Sequence, residues 1–205
     1  MADVSEQKRE LRVQAAEKRR AAHGADVAGA APEAVRDHFL AAIALRRNAV
    51  IGGYWPIANE MDVRPLLQAL HGRGHMCALP EVHRGQALTF RRWRPDDTLQ
   101  PGIFGISVPE RRAAVVVPDL LLVPLLAFDY RGGRIGYGAG YYDRTIPAIR
   151  NAKPLICVGI AYAAQEVPRV PQDSFDQRLD WVVTENGAQR SERRRFPWLR
   201  KFLGS

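Results

Sequence analysis

The residues with the clearest chemical potential lie in one glycine-rich segment, RIGYGAGYYDR, which runs from Arg134 to Arg144. Gly136, Gly138 and Gly140 permit positive φ and let backbone N–H groups approach a phosphate at the start of a helix. The two arginines can add charge-assisted contacts to phosphate oxygens. The spacing matches neither the P-loop nor the dinucleotide fingerprint, so the glycines alone also fit a tight strand-to-helix connection. The charged residues in the same segment favour the phosphate site.

Acidic residues in and after this segment are candidates for holding a divalent cation. Asp143 falls in the first turn of the following helix, where it is either a favourable charge at the positive helix end or a magnesium ligand. Magnesium usually takes one or two carboxylates beside phosphate oxygens, so a second acid should come close. The candidates, Asp173, Asp176 and Asp180, precede the last apolar strand and are equally suited to forming turns.

Aromatic and acidic residues also follow the first apolar strand. Tyr54 and Trp55 stand at its end, and Glu60 and Asp62 come shortly after. Aromatic side chains beside a carboxylate can enclose a flat ring and bond its polar edge. The alternative is core packing and a helix cap, which we favour for Trp55 and leave open for Glu60.

Positive charge is concentrated at the two ends of the chain. The formal net charge is +8, and the residues after position 187 supply +5 of it. The balanced body suits a small anionic ligand better than a nucleic acid duplex. The longest apolar run, 120–128, is well short of the roughly 18 residues of a membrane span. With no apolar leader, and with Cys77 and Cys157 in apolar segments that suit inert thiols, we expect a cytoplasmic protein.

The elements that must position these residues alternate between helix and strand. Helical patterns cover residues 5–22, 34–45 and 61–70, and a further helix starts near 140; apolar strands are predicted at 49–56, 76–82, 87–93, 120–127, 155–162 and 181–184. We expect the charged first helix to be exposed and 95–110 to be a surface loop. The alternation predicts a single Rossmann-like α/β domain, residues 1–187, with a mostly parallel sheet and helices on both faces. Residues 188–205 are interpreted as a basic C-terminal tail, in which FPWLRKFL could form a short amphipathic turn.

Seven segments, in one order along the chain, carry a family resemblance. They are KRELR (8–12), YWPIANEMDVRPLL (54–67), ALPEV (78–82), LTFRRW (88–93), PDLLLVPLLAFD (118–129), RGGRIGYGAGYYDR (131–144) and VPQDSFDQRLDWVVTE (170–185). Together they resemble the 5-formyltetrahydrofolate cyclo-ligase family, also called 5,10-methenyltetrahydrofolate synthetase. The resemblance covers about residues 6–186 and is far more specific than the glycine-rich segment alone.

The resemblance implies an ATP-dependent ligase that needs magnesium. It converts 5-formyltetrahydrofolate to 5,10-methenyltetrahydrofolate and releases ADP and phosphate. In the family's mechanism the formyl oxygen attacks the γ-phosphate of ATP, the neighbouring folate nitrogen closes the ring, and phosphate leaves. The protein then contributes mainly positioning and charge stabilisation.

The resemblance also implies roles for particular residues. ATP would be bound by Lys8, Arg9, Arg12, Arg134, Gly136, Gly138, Gly140 and Tyr142. The folate would be bound by Trp55, Glu60, Tyr137 and Tyr141. Magnesium would be held by Asp143 and Asp176, and the catalytic residues would be Arg134 and Asp143.

Two departures from the family pattern weaken parts of this assignment. Tyr137 and Ala139 stand where some members carry Arg and Lys, so Arg134 must do more of the phosphate binding. Phe175 precedes Asp176 where a His is common, which makes the metal assignment less secure. The competing hypothesis is a non-catalytic relative that binds RNA or a protein through its basic ends. We expect a monomer that acts on a folate, with or without a polyglutamate tail, and that binds neither membrane nor nucleic acid.

Overall fold

The apolar runs of the sequence form the strands of a central sheet. The structure is a computed structural model that describes residues 3–192. Its α-helices in that range are α1 (Val4–Ala25), α2 (Ala31–Ala42), α3 (Arg64–Gly72) and α4 (Tyr141–Arg150). Its strands there are β1 (Val50–Gly52), β2 (Met76–Glu81), β3 (Thr89–Trp93), β4 (Leu99–Pro101), β5 (Ser107–Pro109), β6 (Val115–Val116), β7 (Leu120–Pro124), β8 (Ala127–Phe128), β9 (Arg134–Ile135), β10 (Ile156–Ile160), β11 (Trp181–Thr184) and β12 (Gly187–Arg190).

The main sheet has eight strands in the order β12-β11-β10-β7-β1-β2-β3-β6. The five central strands are parallel, with Ile51 of β1 opposite both Cys77 of β2 and Leu120 of β7. The strands at the two edges are antiparallel. Parallel strands are buried on both faces, which is why Leu120 to Val123 is a continuous apolar run with no exposed surface.

Helices cover both faces of this sheet, as predicted. On one face α2 and α3 pack through Phe39, Leu66 and Leu70. On the other face α4 packs through Ile146 and Ile149. The prediction of an α/β fold with a mostly parallel sheet is therefore confirmed.

The prediction that the first helix is exposed is wrong. In α1, Ala15 is 1% exposed and packs in a small cluster with Ala127 and Val167. The charged side chains of Lys8 and Arg19 are also buried. They find polar partners in other elements, which a count of charged residues cannot reveal.

Three further segments differ from the predictions. The apolar run at 120–127 is two strands, since β7 ends at Pro124 and β8 turns away to pair with β9. The expected loop at 95–110 contains the hairpin of β4 and β5. Strand β12 adds residues 187–190 to the sheet, so its edge continues into the predicted tail. The rest of that tail, residues 193–205 with the FPWLRKFL segment, lies outside the described residues. No helix within 3–192 is both long and apolar enough to cross a membrane.

Candidate active site

A pocket of about 600 Å³ opens beyond the carboxyl ends of the parallel strands. This is where open α/β sheets bind ligands. One part of its wall is charged and carries Lys8, Arg12, Arg134, Asp143 and Asp176. The remaining wall is largely aromatic and apolar, with Glu60 as its buried carboxylate.

The glycine-rich segment forms the floor between β9 and α4. Gly138 has φ +96° and Gly140, which caps α4, has φ +67°, so both positions need glycine for their backbone conformation. Gly140 offers no side-chain cap to the helix. The first N–H groups of α4 therefore lack helical partners and lie beside the pocket, where an anion can bind them.

Arg134 is the most strongly buried cation of the pocket wall. Its Nη2 donates to Oδ1 of Asp143 at 2.6 Å, and its side chain is 6% exposed. Its Nη1 is buried with no hydrogen-bond partner among residues 3–192. Burying a charged donor without a partner is costly, and an anionic ligand at this atom would offset that cost.

A buried aspartate missed by the sequence analysis fixes the hairpin that carries Arg134. Asp129 follows β8 and accepts hydrogen bonds from the backbone N–H groups of Arg131 and Gly133, each at 2.9 Å. It also accepts one from Val170 at 2.9 Å. These contacts tie the β8–β9 hairpin to the segment that carries Asp176. A lone Asp after an apolar run gave no signal of this role.

Lys8 reaches the pocket but pairs there with two carboxylates. Its Nζ lies 2.8 Å from Oδ2 of Asp173 and 2.5 Å from Oδ2 of Asp176. Burial lowers the pKa of Lys8, but the hydrogen bonds to both aspartates outweigh burial and hold the pKa above its ordinary value. Lys8 is therefore charged, and its ammonium group is the cation beside Asp176. Within the described range no three His, Cys, Asp or Glu side chains converge as a metal cluster.

Arg12 and Arg9, the other two basic residues of α1 assigned to ATP, lie in different surroundings. Arg12 donates from Nε to the carbonyl oxygen of Gly136 at 3.0 Å and lines the pocket. Arg9 does not reach the pocket: it is exposed and pairs with Glu6. Residues four apart share a helix face whereas neighbours do not, so Lys8 and Arg12 point inward together and Arg9 points to solvent. This placement gives no support to the assignment of Arg9 to ATP, which stays a prediction.

Glu60 is buried at the opposite part of the pocket. It is 6% exposed, and its Oε2 accepts the backbone N–H of Ile57 at 3.0 Å. Burial raises the pKa of Glu60, opposed by that N–H bond, by the charge of Arg19 and by the hydroxyl of Tyr137. A buried carboxylate is suited to accepting hydrogen bonds from the N–H donors of a ligand.

The aromatic residues assigned to the folate all line this pocket. Trp55 packs edge-on against Trp93 with ring centroids 6.0 Å apart, so it serves both the core and the pocket wall. Tyr137 is 53% exposed. The guanidinium carbon of Arg144 lies over the ring of Tyr141, 5.1 Å from its centroid. Tyr142, assigned to ATP, also lines the pocket and packs against the core on the inner side of α4, and burial raises its pKa.

Asp180, the third acid considered for metal binding, is placed elsewhere. It pairs with Arg150 at 2.9 Å and does not line the pocket. Arg19, which the sequence analysis did not consider, contacts Asn59 and Tyr137 behind the pocket wall. The available signal was positional: residues 8, 12, 15 and 19 fall on one face of α1.

Comparison with known proteins identifies one family. Residues 4–185 match the sequence model of the 5-formyltetrahydrofolate cyclo-ligase family. The 5-formyltetrahydrofolate cyclo-ligase of Haemophilus influenzae is 35% identical over 155 residues, which cover 73% of this chain and 82% of the relative. The 5-formyltetrahydrofolate cyclo-ligase of Escherichia coli K12 is 35% identical over 132 residues, which cover 62% of this chain and 72% of the relative.

Solved structures agree with the sequence comparison. The NMR structure of 5,10-methenyltetrahydrofolate synthetase from Aquifex aeolicus has a TM-score of 0.68 and 27% identity, and covers 95% of this chain and 98% of that one. The synthetase from Mycoplasma pneumoniae also has a TM-score of 0.68. At 22% identity, over 87% of this chain and 98% of its own, it supports the fold alone.

Proposed function

The chain belongs to the 5-formyltetrahydrofolate cyclo-ligase family, and we propose that the pocket described above is where its substrates react. The enzyme converts 5-formyltetrahydrofolate to 5,10-methenyltetrahydrofolate at the expense of ATP. One observation carries the assignment to this pocket. A single cavity contains both a buried guanidinium with an unpartnered donor, Arg134, and a buried carboxylate in aromatic surroundings, Glu60.

The triphosphate of ATP binds the charged part of the wall. Nη1 of Arg134 is a free buried donor, and the start of α4 adds unpaired N–H groups. Arg12 holds the glycine-rich segment through Gly136 and can turn a remaining N–H toward a phosphate. The glycines leave room for the phosphates to approach the backbone.

The folate binds the aromatic part of the wall. Glu60 accepts hydrogen bonds from the N–H groups on the edge of the pterin ring. Trp55, Tyr137 and Tyr141 supply flat surfaces against which the ring can pack. Tyr137 belongs to both the folate wall and the glycine-rich segment, so the two substrates would bind next to each other.

In the reaction the formyl oxygen attacks the γ-phosphorus, and the bond to the bridging oxygen of ADP breaks. The N10 atom of the folate then attacks the phosphorylated formyl carbon, loses its proton, and expels phosphate. Negative charge spreads over the transferring phosphoryl oxygens, where Arg134 stabilises it. The protein otherwise holds the two reactants in line.

We propose further that Asp143 and Asp176 hold magnesium with the bound ATP. Both are hard oxygen donors that line the pocket, and the Lys8 ammonium already occupies a cation position beside Asp176. Magnesium, when bound, neutralises phosphate charge. Lys8, which pairs with Asp176 in this structure, could contact the phosphates instead when Asp176 is a metal ligand. Two carboxylates together with phosphate oxygens are a ligand set that magnesium commonly takes.

The activity is tested by mixing the protein with 5-formyltetrahydrofolate and magnesium and recording the methenyl-folate absorbance band. Growth of the band that requires ATP is the expected result. No growth with folded protein would refute the assignment. Strongly salt-dependent binding of polyanions without turnover would instead indicate a binding protein.

Three finer statements accompany this proposal. The chain acts as a monomer, which light scattering of the purified protein tests. It acts in the cytoplasm, which fractionation of cells tests. It accepts folates with extended glutamate tails, which a comparison of KM for mono- and polyglutamylated substrate tests.

A further inference from the structure

Arg19 is a buried cation that the assigned roles leave unused. It lies on α1, is 4% exposed, and does not line the pocket. Its Nε and Nη2 both donate to Oδ1 of Asn59, at 2.9 and 2.6 Å. Its Nη2 also donates to the hydroxyl of Tyr137 at 2.6 Å. The side chain thus joins three separate segments of the chain behind the folate wall.

One donor of Arg19 is left without a partner. Its Nη1 is buried and has no hydrogen bond among residues 3–192. The nearest carboxylate oxygen, Oε1 of Glu60, is 3.9 Å away, which is too far for a hydrogen bond. A small movement of Glu60 would complete an ion pair with both groups already buried. An unsatisfied buried charge favours such a movement.

Resting on the proposed function, we propose that Arg19 is a positioning residue for the folate. It holds Glu60 and Tyr137 in the arrangement that receives the pterin, and its Nη1 closes onto Glu60 when the ring binds. The guanidinium also lies over the ring of Tyr137, 5.2 Å from its centroid, which fixes the ring orientation. Arg19 itself does not touch the substrate.

The same helix face links the two substrate regions. Arg12 bonds Gly136 and Arg19 bonds Tyr137, the next residue of the glycine-rich segment. The two arginines are seven residues apart, about 10 Å along a rigid helix. Arg12 therefore supports the nucleotide side of that segment and Arg19 the folate side, so removal of Arg19 should affect folate binding selectively.

The charge of Arg19 also keeps Glu60 available as an acceptor. The groups that face Glu60 are Arg19 from α1, Tyr137 from the glycine-rich segment, Tyr54 after β1 and Tyr142 from α4. Burial raises the pKa of each of the three tyrosines, so they stay neutral and Arg19 is the charge that favours the carboxylate. Without it the pKa of Glu60 rises further, and a protonated Glu60 presents a donor where the pterin also presents donors.

The test compares Arg19→Gln and Arg19→Lys with wild type, using Arg20→Gln on the exposed side of the same helix as the matched control. The dissociation constant of 5-formyltetrahydrofolate is measured by quenching of protein fluorescence between pH 5.5 and 9, alongside the KM for ATP and the melting temperature. We expect Arg19→Gln to weaken folate binding at neutral pH on the order of tenfold and to move the pH midpoint of binding upward by about one unit. The KM for ATP should change less than about threefold, and Arg19→Lys should recover part of the loss because it restores the charge.

A second comparison separates positioning from stability. In a Glu60→Gln background, Arg19→Gln should no longer shift the pH midpoint, because the titrating group is gone. The proposal would be overturned if Arg19→Gln protein, folded at the assay temperature, binds folate with the affinity and pH midpoint of wild type. This holds even if its melting temperature is lower. Wild-type protein that neither binds nor converts the folate would instead refute the proposed function, independently of Arg19.

Discussion

Replacing Arg134 by Met should remove most of the activity and leave the fold nearly as stable. Met keeps similar volume and removes both the ion pair with Asp143 and the free Nη1 donor. Loss of one preorganised donor to a developing charge costs about 2.7–4 kcal/mol, or on the order of 100- to 1000-fold in kcat. The protein loses one ion pair but also sheds the desolvation cost of an unsatisfied buried donor, about 1–3 kcal/mol.

These two stability effects oppose each other. Asp143 is 32% exposed and can be solvated after the substitution, so we expect a net change within about 1 kcal/mol. For a chain of this size that corresponds to a melting shift of about 2–4 °C. The assay is ATP-dependent growth of the methenyl-folate band, together with thermal unfolding followed by circular dichroism.

A matched control is Arg150→Met. Arg150 also donates from Nη2 to an aspartate, Asp180 at 2.9 Å, but lies outside the pocket. Its loss should change turnover less than about twofold, since no ligand contact is removed. The reasoning fails if Arg134→Met retains more than about a fifth of wild-type kcat/KM. It also fails if that variant melts more than about 10 °C lower, because Arg134 would then be chiefly structural.

The remaining predictions concern four positions. Asp143→Asn keeps a hydrogen-bond acceptor but loses the negative charge. It should abolish turnover in the presence of magnesium and leave the circular dichroism spectrum unchanged. Full activity of this variant would exclude the magnesium role of Asp143. Gly138→Ala should weaken ATP binding measured calorimetrically, because φ of +96° costs a side-chain residue about 1–2 kcal/mol. Gly74→Ala is its control, since Gly74 also has a positive φ, +84°, and a Cβ there meets nothing within 4 Å, but it lies outside the pocket. Arg9→Gln should leave the KM for ATP within about twofold, because Arg9 is exposed and outside the pocket. A tenfold rise in KM would instead support the assignment of Arg9 to ATP. Burial raises the pKa of Glu60, so on acidification folate affinity should begin to fall at a higher pH than an ordinary carboxylate would give. Glu60→Gln should flatten this pH dependence of folate affinity. An unchanged pH profile in that variant would exclude Glu60 as the titrating group.

The sequence was most informative where one local rule decides the structure. Continuous apolar runs such as Leu120 to Val123 predict buried parallel strands, and these strands lie at the centre of the sheet. The glycines before Asp143 predict a loop that opens a helix, and two of them have the positive φ that requires glycine. Short strands without periodicity were missed, as in the hairpin of Leu99–Pro101 with Ser107–Pro109.

The helix period places residues 8, 12, 15 and 19 on one face, but it does not show that this face is buried. Charged residues on a helix usually lie in solvent, and the many arginines and lysines of Val4–Ala25 suggested an exposed helix. Lys8 and Arg19 are buried because their partners, Asp176 and Asn59, come from segments far away in sequence. Such pairings depend on tertiary contacts, so the structure was needed to separate Arg9 from its neighbours.

The most direct test of the account is the ratio of phosphate released to methenyl-folate formed in the same reaction. The account places both substrates in one pocket, with Arg134 and Glu60 in its wall, and therefore predicts one phosphate for each ring closed and almost none without the folate. Phosphate release that continues at a similar rate without folate, or methenyl formation without phosphate release, would contradict it.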